Sequence, residues 1–297
     1  MRAAGAERAA DGRDSALLLG AVAYDPKVVT IWDGFRTWLR EQDLDFDYVL
    51  YSHYERQVED LVAGRIDLAW NSPLAWVRAR RLSAAQGITL TPTVMRDTDR
   101  DLRSLIVARA GSATATLADL RGKTVATGAV DSPQGTLLPL SLLRAAGLRP
   151  GADVTVRRFD VGVGLHGDHV GGERDAARTL MAGDADAACL IDANLLLFAR
   201  EGVLPSGAVE VLAQTEPYDH CTLTAGPSAG ERVTKRFADL LLGMDYGDDR
   251  LRPLLDLEGL KQWRPPRLTG YAQLERAVDE SGFYDAEGTI GAGDYRP

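Results

Sequence analysis

The sequence predicts an α/β protein built as two lobes, and three observations carry that prediction. From Ala16 onward, short β-rich runs alternate with amphipathic segments, the pattern of an α/β fold with mainly parallel strands. The 297 residues are two domains' worth of chain, taking roughly 100 to 200 residues per domain. The chain also echoes itself. Residues 61–69, LVAGRIDLA, are answered by residues 180–188, LMAGDADAA, each reading as a helix ended by a glycine (Gly64, Gly183) and followed by a strand. Asn71-Ser72-Pro73 is answered by Asp131-Ser132-Pro133, each placed where a strand turns into a helix. In both, serine stands at the N-cap and proline at the first helical position.

Residues 1–15 read as a flexible tail. The strand ALLLGAVAY leads into a helix in which Val28, Ile31, Trp32, Phe35, Trp38 and Leu39 recur at helical spacing, a core-facing stripe. The strand FDYVLY, a helix over 54–63, the strand IDLAW and a helix opening at Pro73 complete a βα unit by about residue 95. A strand over 102–108 opens a second set. It continues with KTVATG, a helix over 134–146, VTVRRF, a helix over 173–182, ADAACLI, a helix over 194–200 and VEVLAQ. HCTLTAG is again extended, helices follow over 231–242 and 249–257, and the end is polar and glycine-rich. The lobes are expected from 16–100 with 218–297, and from 101–217, with hinge strands near 98–106 and 213–221.

Composition narrows the function. A net charge of -9, from 34 basic and 43 acidic residues with no basic cluster, argues against nucleic-acid or anionic-membrane binding. Two cysteines, Cys189 and Cys221, make neither a disulfide framework nor a thiolate metal site alone. No apolar run reaches the roughly 18 residues of a membrane helix. The N-terminus lacks the apolar stretch of a secretion signal, so a cytoplasmic protein is expected, or a periplasmic or extracellular one if an export signal has been removed. Walker loop and HExxH are absent.

In open α/β sheets ligands bind beyond the carboxyl ends of strands, where helix N-termini present unpaired N–H groups. Facing lobes would aim Ser72 and Ser132 into one cleft, an anion site that needs no lysine cluster. The turn Ser132-Pro133-Gln134-Gly135-Thr136 is the stronger candidate, because Gly135 permits close approach and Ser132, Gln134 and Thr136 bring side-chain donors. The same turn is an ordinary capped helix on a plainer reading. The loop VGVGLHGDHVGG holds His166 and His169, two of four histidines. With Asp168, Glu173 and Asp192 they offer imidazole and carboxylate ligands suited to zinc or ferrous iron, as an alternative to the expectation of no cofactor.

The runs YSHYERQVEDLVAGRIDLAWNSPLAWV, LRSLIVARAGSATATLADLRGKTVATGAVDSPQGTLLPLSLLRAAGL and GGERDAARTLMAGDADAACLIDA resemble the phosphate, phosphite and phosphonate substrate-binding proteins of ABC importers. The resemblance covers residues 17 to 260. It implies the two-lobed type II periplasmic-binding-protein fold, two mixed sheets flanked by helices with a hinge between. It also implies an oxyanion loop at Ser132, Gln134, Gly135 and Thr136, although Pro133 and Gln134 depart from the family's run of hydroxyls. Tyr54 matches the aromatic wall, Asn71 and Ser72 the strand-end turn, Trp76 a position one turn on, and Asp192 a carboxylate. At the family's histidine this chain offers Arg174, whose guanidinium suits an oxyanion, unless the longer loop brings His166 or His169 there. Asp131 or Asp192 would accept a proton from a protonated oxyanion, or pair with a ligand amine.

A solute-binding protein for a phosphonate, phosphate ester or related molecule is the leading expectation, a monomer with an ABC permease as partner. The alternative is a cytoplasmic biosynthetic enzyme on the same fold, metal-dependent through His166 and His169, since fold does not settle function. A sensor that reports ligand to a partner shares the same cleft.

Overall fold

A computed structural model describes residues 16–167 and 171–297. Its strands form two mixed sheets. The first sheet contains β1 (Leu17–Val22), β2 (Phe46–Tyr51), β3 (Leu68–Asn71), β4 (Thr91–Arg96), β10 (Thr222–Ala225) and β11 (Trp263–Arg264), in the order β11-β4-β10-β3-β1-β2. β1 runs parallel to β2 and β3, whereas β10 is antiparallel to β3 and β4. The second contains β5 (Ser104–Arg109), β6 (Thr124–Thr127), β7 (Thr155–Arg158), β8 (Ala187–Ile191) and β9 (Val209–Gln214), in the order β7-β6-β8-β5-β9. β6 is parallel to β7 and β8, and β5 is antiparallel to β8 and β9.

Helices cover the sheets because their apolar stripes need partners. α1 (Lys27–Glu41) lays Ile31, Trp32, Phe35 and Leu39 on the first sheet, where Trp32, Phe46, Phe237 and Trp263 share one core. α2 (Tyr54–Val62) and α3 (Pro73–Ala85) follow β2 and β3. In the second lobe α4 (Leu138–Ala145), α5 (Glu173–Ala182) and α6 (Asp192–Arg200) flank the sheet, with α5 burying Ala176, Ala177 and Leu180 against β6 and β8. α7 (Glu231–Leu242) and α8 (Arg252–Glu258) return to the first lobe.

The chain passes between the sheets twice, from β4 to β5 and from β9 to β10, and the two crossings are tied together. Leu102 and Tyr218 exchange backbone hydrogen bonds of 3.0 and 2.9 Å, and His220 N–H donates to the Asp99 carbonyl at 2.7 Å. Beside them Arg96 holds both carboxylate oxygens of Asp99 at 2.6 and 2.9 Å and also reaches Glu258 at 3.3 Å. Asp99 is fully buried, yet the guanidinium outweighs desolvation and holds its carboxyl down at about 2.

The C-terminal helix was not foreseen, and neither were β4 and β11. The polar, glycine-rich end contains α9 (Ala272–Ser281), and Phe283, Tyr284 and Tyr295 beyond it are buried. They share a core with Leu74 and Val77 of α3, and with Val130, Leu137 and Leu138 from the second lobe. The C-terminal segment therefore packs between the lobes rather than trailing from one.

Candidate functional site

The site is built from two helix starts on opposite lobes. Ser72 follows β3 in extended conformation, and its Oγ accepts the Ala75 N–H at 3.1 Å, with Pro73 opening α3. Ser132 follows β6 on the same plan, its Oγ accepting the Gly135 N–H at 3.0 Å. Here the first turn, Pro133–Leu137, is π-helical: the N–H groups of Thr136 and Leu137 both donate to the Ser132 carbonyl. Pro139 explains the irregularity. Lacking an N–H, it cannot use the carbonyl four residues earlier, and that carbonyl, Gly135 C=O, instead accepts the Gly128 N–H at 3.0 Å.

The two serine caps face each other across one short piece of chain. His166 is completely buried, its Nδ1 2.6 Å from Ser72 Oγ and its Nε2 3.0 Å from Glu55 Oε1. Nε2–H can donate to the carboxylate, and the Ser72 hydroxyl can either donate to Nδ1 or accept from it. Tyr54 stacks on the ring, centroids 4.7 Å apart and planes within 18°. Toward the other lobe, Asp131 Oδ2 accepts the N–H groups of Gly164 and His166 at 2.7 and 3.0 Å. Gln134 Nε2 donates to the Gly167 carbonyl at 2.8 Å. Gly167 lies so close to Ser132 that a Cβ on it would stand 2.3 Å from Ser132 Oγ.

The cleft is acidic. Glu55 also accepts the Tyr284 hydroxyl at 2.8 Å. Burial pushes its carboxyl up, but His166 and the tyrosines Tyr295 and Tyr284 outweigh that and bring it to about 2. Asp131 is raised by burial, in part offset by His166 and by its backbone donors. Glu173 lies beneath the Ser132 turn, its Cγ 3.0 Å and its Oε1 3.4 Å from where a Gly135 Cβ would be. Its Oε2 accepts the Ile191 N–H and the Asn194 amide, each at 2.8 Å, while burial pushes the group up to about 7. Asp131 Oδ1, Gln134 Oε1, Thr136 Oγ1 and Glu173 Oε1 are buried with no partner among the described residues. Unpaired buried polar atoms are costly and call for an explanation, and four of them surround one turn.

The remaining expected residues fall as follows. Asn71 is buried at the end of β3 and accepts from Gln57 at 3.1 Å. Trp76 packs on Tyr271. Asp192 opens α6 and accepts the N–H of its neighbour Ala193 at 2.8 Å. Arg174 is not brought to the turn: it pairs with Glu201 at 2.8 and 2.9 Å and lies over Phe198. The side chain that reaches the turn is its neighbour Glu173. Helix register gives the reason, since Glu173 lies in line with Ala176, Ala177 and Leu180 on the buried face of α5 and Arg174 on the next. Sequence reasoning also missed Glu55, Tyr284 and Tyr295.

The metal alternative of the sequence reading needs His166 and His169. His169, with Asp168, lies outside the described residues, and both ring nitrogens of His166 are engaged by Ser72 and Glu55. Among the described residues, potential ligand atoms gather instead at Asp99, His220 and Cys221 in the crossings. There Arg96 already occupies both carboxylate oxygens of Asp99. A groove lined by Thr30, Trp38, Leu240 and Leu254 lies on the outside of the first lobe, remote from this chemistry.

Comparison with known proteins agrees with this architecture. PhnD1 from Prochlorococcus marinus, solved with methylphosphonate, matches with a TM-score of 0.65 and 19% identity, over 90% of this chain and 98% of its own. XAC2383 from Xanthomonas citri, solved with ATP, matches at 0.67 and 20% identity over 90% and 98%. The periplasmic aliphatic sulphonate binding protein SsuA from Escherichia coli matches at 0.54 and 19% identity over 94% and 98%. These likenesses establish the type II periplasmic-binding-protein fold. The family model described as "ABC transporter, phosphonate, periplasmic substrate-binding protein" matches residues 21–271. Transport-linked solute binding, and not catalysis, is the work of such proteins. With its two-lobed fold and a match over most of its length, the chain belongs to the family of phosphonate ABC transporter substrate-binding proteins.

Proposed function

We propose that this protein captures a small oxyanion of the phosphonate class between the Ser132 turn and Ser72. The observation that supports the reading best is the pairing of two serine-capped helix starts from opposite lobes across a gap spanned by His166 and Gly167. Helix N-termini stabilise anions through aligned N–H groups and partial positive charge. Ser132 and Thr136 hydroxyls would add donors, with Gln134 Nε2 turned inward beside them. Tyr54 would wall the apolar part of the ligand. Trp76 is a weaker candidate for that wall, being packed on Tyr271. Asp131 is the acceptor we assign to a proton on the ligand, because two facing acceptors repel unless they share one. Asp192 and Arg174 are left out of the binding set.

A family member of this kind has a small-molecule ligand and a permease as partners. We infer a periplasmic site of action from the family, against the cytoplasmic expectation drawn from residues 1–15, which lie outside the described part. No described helix is long and apolar enough to cross a membrane. Lobes hinged at the paired crossings would present a closed surface to the permease.

Isothermal titration calorimetry with methylphosphonate, inorganic phosphate and methanesulfonate tests the reading. Binding of methylphosphonate that is weakened by Ser132→Ala supports it. Absence of heat with all three oxyanions, in wild type and in variants of the cleft, rejects it.

A further inference from the structure

The space between the two serine caps is filled by the protein's own chain. Residues 160–167 leave β7 and enter the cleft, where His166 and Gly167 touch both lobes at once. To the first lobe the segment gives an imidazole held by Ser72, Glu55 and the ring of Tyr54. It adds a backbone bond in which Tyr54 N–H donates to the Gly164 carbonyl at 3.1 Å. To the second lobe it gives two N–H groups on Asp131 and a carbonyl on Gln134. Tyr295 also stands 3.5 Å from His166 Nε2, and His53 lies 3.7 Å from the far oxygen of Glu55.

This conformation is held against local preference. His166 has φ +53°, a left-handed backbone that is unfavourable for a residue with a Cβ. Gly164 and Gly167 have φ +91° and +71°, values open to glycine. At Gly164 a Cβ would meet His53 Cβ at 2.9 Å, and at Gly167 it would meet Ser132. Strained backbone persists where surrounding contacts over-determine it, and such sites cluster at switches and clamps. Here the contacts that over-determine it are the ones the proposed ligand site is made of.

We propose that residues 160–167 are a tethered occupant of the oxyanion cleft, with His166 bridging the lobes in the ligand's place, so that capture of solute exchanges one for the other. The inference rests on the proposed function for the identity of the cleft. The tether would keep the lobes together without solute and lower the apparent affinity by the fraction of molecules in which the loop is out. It would also favour solutes that supply a donor to Glu55 once the imidazole leaves, because only the tyrosine hydroxyls would then remain on that buried carboxylate.

The test combines distance and affinity. Spin labels at Val49→Cys and Leu196→Cys, exposed positions on β2 and α6, report the separation of the lobes. We expect the otherwise unaltered protein, with no solute added, to give one short distance. His166→Ala and Gly167→Ala should each lengthen or broaden it, and methylphosphonate should restore the short distance. Methylphosphonate should bind each variant at least about tenfold more tightly. Circular dichroism and the thermal midpoint confirm that both variants fold. An open, solute-free protein whose distance ignores both substitutions overturns the proposal. A tenfold loss of affinity in His166→Ala with no change in distance also overturns it, because His166 would then be a ligand contact. If the distances respond as expected and no oxyanion binds any form, the tethered occupant stands and the proposed solute class fails.

Discussion

Glu173 offers a quantitative test of how the site is built. It is fully buried, and burial raises its carboxyl from 4.5 to about 7 against the opposing bonds from Asn194 and the Ile191 N–H. The folded protein therefore binds this proton more tightly than the unfolded chain. The associated stability is fully present below the unfolded value of 4.5 and is lost as pH rises through the folded value of about 7. The gap is worth roughly 3 kcal/mol, at about 1.4 kcal/mol for each tenfold change in proton affinity. Glu173→Gln imitates the protonated side chain: its carbonyl can accept from Ile191 and Asn194, and it cannot ionise. Urea unfolding of both proteins from about pH 5 to about pH 8 should give similar stabilities at the acid end and a growing advantage for the variant, approaching roughly 3 kcal/mol. Parallel stability curves would refute the assignment of a buried carboxyl, one oxygen unpartnered, beneath the Ser132 turn. The same variant should bind methylphosphonate more tightly at pH 8, by about tenfold if the removed charge acts across a few ångströms.

Other perturbations test separate parts of the structure. Ser132→Ala removes both a cap and a donor, and should lower stability by about 1 kcal/mol and weaken methylphosphonate binding about tenfold, read by thermal unfolding and calorimetry. Gly172→Ala would set a Cβ 2.0 Å from the Phe159 carbonyl oxygen at φ +87°. It should destabilise by more than about 2 kcal/mol, seen as a lower urea midpoint. Arg96→Met strips Asp99 of its guanidinium inside the crossings and should cost about 3–5 kcal/mol. A thermal midpoint within a degree or two of wild type would contradict that role.

Much of the scaffold is legible in the sequence because its punctuation is strong. α5 and α7 lie where residues 173–182 and 231–242 predict them, α5 bounded by Gly172 and Gly183 in left-handed conformation and α7 flanked by Gly230 and Gly243. Both Ser-Pro helix starts are visible for the same reason. The C-terminal segment is not legible, since Phe283, Tyr284 and Tyr295 are isolated among glycines and charges, with no period to mark a buried face. β4 is hidden in a similar way: its Pro92 argues against a strand with neighbours on both sides, and a register shift in β10 accommodates it. At the candidate site, Ser132, Gln134 and Tyr54 are expected from the sequence as residue types with a task. Glu173 entered the sequence reading only as a candidate metal ligand beside His166 and His169, because its charge outweighed its position on the apolar stripe. Glu55 became visible only in three dimensions, because its partners His166, Tyr284 and Tyr295 lie 111, 229 and 240 residues away.

The central claim is that an oxyanion is held where two serine-capped helices meet. The most direct measurement is a crystal structure of the full chain with methylphosphonate. The account predicts the phosphonate oxygens within hydrogen-bond distance of Ser132 Oγ and the N–H groups of its turn, with Ser72 approaching from the other lobe. Phosphonate bound on another face, with the Ser132 turn making no contact to it, would contradict the account.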